Sequence, residues 1–99
     1  MNPYKAFNMQ NAEIVMRNQE EVFDHLIVES PRMYLSLRLV LDGLGLFTQG
    51  VMYKMQNGIE CNQEKEAFFN MCDDVDKVCS KALCLCLLTG LDINLEESA

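Results

Sequence analysis

Basic residues are scarce in this chain. Eight Lys and Arg stand against 15 Asp and Glu, for a net charge of −7 and a pI near 4.5. Phosphate recognition needs clustered cations, and the eight here are scattered, so nucleic acid is excluded as a partner and an anionic membrane surface is disfavoured. No unbroken apolar run reaches membrane-spanning length; the richest, residues 82–88, has the length of a core segment. The opening Met1-Asn2-Pro3-Tyr4-Lys5 has no apolar stretch of the kind a secretory signal needs, so the expectation is a cytoplasmic protein with no membrane association. Histidine occurs once, as His25, and no elbow motif places a Ser or Cys nucleophile against it. Five cysteines, an odd number without an export signal, argue for reduced thiols rather than a disulfide framework. Internal repeats and low-complexity segments are absent.

Hydrophobic residues make up 49% of 99 positions, enough for one globular domain with a modest core. The stretch from Ser30 to Gly58 organises the rest. Ser30 is placed to cap a helix and Pro31 to occupy its first turn, where a missing N–H costs nothing. Met33, Leu37, Val40, Leu41, Leu44, Phe47, Val51, Met52 and Met55 recur at steps that put side chains on one helix face. Gly58 can take the left-handed conformation that ends a helix. A helix over 31–57 is about 40 Å long at 1.5 Å per residue, so neighbours must lie along it. Gly43 and Gly45, inside that helix, are expected to let a neighbouring helix approach closely, and residues 43–50 are the place for any bend.

A first helix is expected over 11–28, with Ile14 or Val15, Val22, Phe23, Leu26 and Ile27 inward, broken at Glu29-Ser30-Pro31. A third is expected over 63–89, capped by Asn62 and ended by Gly90, with a stripe of Phe68, Cys72, Val75, Cys79, Ala82, Leu83 and Cys86. Asp73, Asp74 and Asp76 fall on its wet side, and they lack the Gly and closing Glu of a calcium loop. Residues 1–10 are expected to form an extended arm or a short turn of helix that packs back on the bundle, and residues 91–99 a short, frayed acidic tail. The whole is all-α: an antiparallel, up-down-up bundle of three long helices.

Metal and redox chemistry have weak support. Cys72, Cys79 and Cys86 share a face, but it is the core stripe, where free cysteine behaves as a small hydrophobe. Cys84 and Cys86 point about 200° apart on a helix and cannot grip one ion. Glu21, His25 and Glu29 are spaced to ligate a metal, yet an ordinary solvated or half-buried histidine is the expectation. No metal, cofactor or catalytic group is expected.

Apolar residues outnumber what three helices can bury. Tyr34, Leu35, Leu39 and Leu46 lie outside the main stripe of the central helix, and Phe69, Leu85, Leu87 and Leu88 outside that of the third. Helices apolar nearly all round imply a further covering surface: the arm, a second copy of the chain, or a partner's helix. Tyr34, Leu35, Leu39, Leu46 and Phe69 are the expected contact residues of a non-enzymatic protein-binding module, with another protein or a second copy as partner. Seven methionines suit adaptable grooves and also simply fill cores.

The opening Asn2-Pro3-Tyr4-Lys5-Ala6-Phe7, followed by Gln10-Asn11, resembles the start of the flagellin export chaperones, over about ten residues. The resemblance implies a small cytoplasmic helical bundle that holds a disordered client before export. It also implies that Tyr4 and Phe7 belong to an arm that packs on the bundle and shields the client groove. The family's Ser-Pro-Glu is replaced by Asn18-Gln19-Glu20 or displaced to Ser30-Pro31, and the chain is shorter than a full four-helix core needs.

Overall fold

A computed structural model describes residues 9–95. It is all-α: α1 (Gln10–Arg17), α2 (Gln19–Glu29), α3 (Pro31–Gln56) and α4 (Asn62–Leu88), with no strand among the described residues.

The expected three long helices are four. The stretch 11–28 is broken at Asn18, whose backbone (φ −116°, ψ 27°) leaves helical geometry. The Asn18 side-chain amide donates to the Ile14 carbonyl at 2.8 Å, the kind of local bond by which asparagine competes with the helix ladder. The break resets the phase of the apolar stripe. Ala12, Ile14 and Val15 are buried before it and Val22 and Leu26 after it, while Ile27, expected inward, is exposed.

α1 begins against α4. Asp76, expected on the wet side of its helix, is buried, and its two carboxylate oxygens accept from the Ala12 N–H at 3.1 Å and the Asn11 amide at 3.2 Å. The first-turn N–H groups of a helix have no partner within it. Met9, at the cap position, supplies no side-chain bond, so a carboxylate 64 residues away does the capping.

α3 starts as its sequence implies: Ser30 Oγ accepts from the Met33 N–H at 3.3 Å, with Pro31 in the first turn. Its end is closed by Gly58 (φ +65°), with the Ile59 N–H bonded to the Lys54 carbonyl and the Gly58 N–H to that of Met55. This pair of bonds is the Schellman arrangement, and its left-handed residue favours glycine. α4 then returns antiparallel. Lys54 Nζ meets Glu64 Oε1 at 2.8 Å, which raises the ammonium pKa and lowers that of the carboxyl, and Phe47 stacks on Phe68 at 6.3 Å. The residue before α4 is Cys61 rather than Asn62. It makes no side-chain cap; the Glu60 carboxylate accepts from the Asn62 N–H at 2.7 Å instead.

Gly90 (φ +99°) repeats the Schellman closure after α4. Beyond it the chain folds back: Ile93 is buried in the core cluster, so residues 91–95 are not the frayed start of a tail. Residues 96–99 lie outside the described residues.

Leu26 and Leu37, with Val15, Val22, Val75, Cys72, Cys79 and Cys86, are the largest fully buried side chains. The internal glycines of α3 are not explained by this core. A methyl group added at Gly43, Gly45 or Gly50 meets nothing within 4 Å, so no neighbouring helix among the described residues needs the space. Each nevertheless weakens the helix by about 1 kcal/mol relative to alanine.

Candidate functional site

α3 carries two opposed apolar faces. Leu37, Leu44 and Val51, one heptad apart, are buried against the rest of the chain. Leu35, Leu39, Leu46 and Tyr53 lie within about 40° of one another at 100° per residue, about 180° around the helix from that buried line. They are 58%, 71%, 71% and 62% exposed. Polar groups flank the ridge on one side, where Arg38 forms an i,i+4 pair with Asp42 at 3.7 Å. α3 is also long and apolar enough to cross a membrane by length and composition, with a mean hydropathy of 1.2 in its richest window, of which 17% is buried. Among the described residues, most of this helix's apolar surface is without a cover.

The other expected contact residues are placed differently. Tyr34 is half-buried beside the ridge, edge-on to Phe23 at 5.5 Å, and its hydroxyl accepts from Arg38 Nη1 at 2.5 Å. That bond and the nearby phenol push the guanidinium pKa up further. Phe69 is half-buried and edge-on to Phe68 at 5.9 Å. It lines a separate apolar cleft of about 230 Å³ between α3 and α4, with Val51, Met52, Met55 and Phe68 as walls and Lys65 at the side. The sequence hides this cleft because the spacing of Met52 and Met55 predicts burial with the main stripe, whereas both are exposed. Tyr4 and Phe7 lie outside the described residues.

The titratable groups among the described residues are spread over separate places. His25 Nε2 sits 2.6 Å from Thr89 Oγ1, whose own proton goes to the Leu85 carbonyl, so the ring ties α2 to the end of α4. Among the described residues no three His, Cys, Asp or Glu side chains converge as metal ligands would. An open depression of about 660 Å³ bordered by Asn18, Glu21, Asp92 and Asn94 brings carboxylates and amides to its rim but no nucleophile.

Burial holds Cys72, Cys79 and Cys86 as thiols. It raises the pKa of all three, that of Cys79 to about 12, with the Asp76 charge adding to the effect. Cys84 is the exposed cysteine. A thiol-reactive dye at pH 8 should therefore modify one cysteine quickly in the folded protein and all five in denaturant, counted by mass spectrometry. The sign of the pH effect follows. Above about pH 9 the unfolded chain releases protons that folded Cys79 retains, so stability falls as pH rises from there toward 12. Cys79→Ala should flatten that alkaline slope in urea titrations, whatever it does to stability at pH 7.

No family model, no curated protein and no solved structure matches this chain.

Proposed function

We propose that the chain is a non-enzymatic protein-binding module of the cytoplasm, chaperone-like or an adaptor, which buries an amphipathic helical segment against the outer face of α3. The observation that carries this reading is the Leu35–Leu39–Leu46–Tyr53 ridge, exposed on the side of α3 opposite its core line. An apolar stripe of this length suits recognition of a helix through residues at i, i+3, i+4 and i+7. Contiguous exposed apolar surface of this kind is uncommon on a protein that works alone. The up-down-up order of the bundle would support the ridge from behind with α4 on one flank and α2 on the other. The N-terminal resemblance to flagellin export chaperones agrees with client binding as the class of activity.

The test is the double variant Leu35→Lys, Leu39→Lys. Both side chains are exposed, so the far-ultraviolet circular dichroism should stay that of the parent while association, read as solution mass and as cross-linked adducts, is lost. A double variant that unfolds would instead make these residues part of the core, and the reading would fall.

A further inference from the structure

The outer face of α3 has a second property: large and small residues alternate along it. Ser36, Leu39, Gly43, Leu46, Gly50 and Tyr53 follow one another at steps of three and four, the spacing of a coiled-coil seam. None of the six is buried, and the two glycines answer no need for space among the described residues.

We propose that this seam joins two copies of the chain, with their α3 helices antiparallel about a twofold axis between residues 44 and 45. The proposal rests on the reading of this face as a docking surface and names its occupant. In that register Leu39 faces Gly50, Leu46 faces Gly43 and Tyr53 faces Ser36 of the second copy. By symmetry six layers each set one large side chain into one gap, as an isologous interface requires. A parallel pairing alternates layers of two large residues with layers of two small ones, so the large layers hold the helices apart and the small layers are left unfilled. Charge agrees with the antiparallel order. The seam itself is uncharged from 36 to 53, and Asp42 falls beside Gln49 of the second copy. Arg32, with no ion pair among the described residues, reaches the last turn of the other α3, where the helix dipole is negative. The seam is about 27 Å long at 1.5 Å per residue. Pairing over that length covers on the order of 600–800 Å² of each copy, close to the per-partner area of specific interfaces.

The full chain is measured by light scattering over a concentration series, together with Gly43→Leu and Leu39→Lys. A further variant, Gln56→Cys in a Cys84→Ser background, carries a spin label for distance measurement. The expected results are a dimer and a dissociation constant at least ~100-fold weaker in each of the first two variants. Helical signal should be undiminished in Gly43→Leu, whose new side chain has open space around it. The two labels should lie about 35 Å apart, whereas a parallel pair at the usual interaxial distance would hold them about 10–15 Å apart. A short label distance overturns the antiparallel register. A chain that stays monomeric overturns self-pairing but leaves the docking surface standing. A monomer that floats with phosphatidylcholine–phosphatidylglycerol vesicles, and loses that binding in Leu39→Lys, assigns the ridge to lipid and overturns both readings. A dimer that neither Gly43→Leu nor Leu39→Lys weakens is joined by another face and overturns the seam.

Discussion

Asp76→Ala should lower the stability of the fold by about 2–4 kcal/mol, from the loss of two hydrogen bonds to a charged acceptor and of a helix cap. The residue looks expendable in sequence, one of three aspartates within four positions. In the fold it is a buried carboxylate that satisfies the Ala12 N–H and the Asn11 amide. Alanine leaves the Ala12 N–H buried without an acceptor, and the start of α1 comes away from α4. In a domain of this size the melting temperature should drop by about 10–20 °C. Asp76→Asn retains one carbonyl oxygen for the Ala12 N–H and should recover part of the loss. Asp73→Ala and Asp74→Ala, whose side chains are exposed, should stay within about 0.5 kcal/mol of the parent. Thermal and urea unfolding followed by circular dichroism separates the four variants.

The second large effect separates the two faces of α3. Leu37→Ala empties a fully buried site and should cost about 2–5 kcal/mol. Leu39→Ala, two residues on but 71% exposed, should change folding stability by no more than about 0.5 kcal/mol when measured at a concentration where the chain is a single copy. The chemistry of the two substitutions is identical, so the contrast isolates position. A large loss from Leu39→Ala under those conditions would mean that the outer ridge is covered by the chain itself.

How much of this was legible in the sequence depends on the distance over which each cause acts. Helix ends governed by local chemistry were readable. Ser30-Pro31 at the start of α3 acts within three residues, and Gly58 and Gly90 act through their own backbone conformation. The buried line of α4 was readable from its period, down to the cysteines that behave as small hydrophobes. The break at Asn18 was not. An asparagine in the middle of a helical period carries no stop signal, and its bond to Ile14 is one of several it could make. Asp76 stands at the period of the buried line, four after Cys72 and seven before Leu83, but a carboxylate there reads as solvated until its partners, 64 and 65 residues away, are known. Gly43 and Gly45 were given a packing role that the chain does not supply. Of the candidate site, Leu35, Leu39 and Leu46 were visible as leucines off the main stripe, because two opposed apolar lines on one helix leave that surplus in the sequence. Tyr53, one heptad beyond Leu46, stands on the same line and was equally legible, whereas the Met52–Met55–Phe69 cleft was not, since it depends on how α4 lies against α3.

The claim on which the functional reading depends is that the outer ridge of α3 is covered by another polypeptide while the protein is at work. A photo-reactive benzoylphenylalanine at Leu46, activated in the cells that make the protein, tests it most directly, with the same group at Glu66 on α4 as the control. The account predicts a discrete covalent adduct from position 46, of twice the chain's mass if a second copy is the partner, and none from position 66. An unmodified chain at position 46, or equal adducts from both positions, would contradict it.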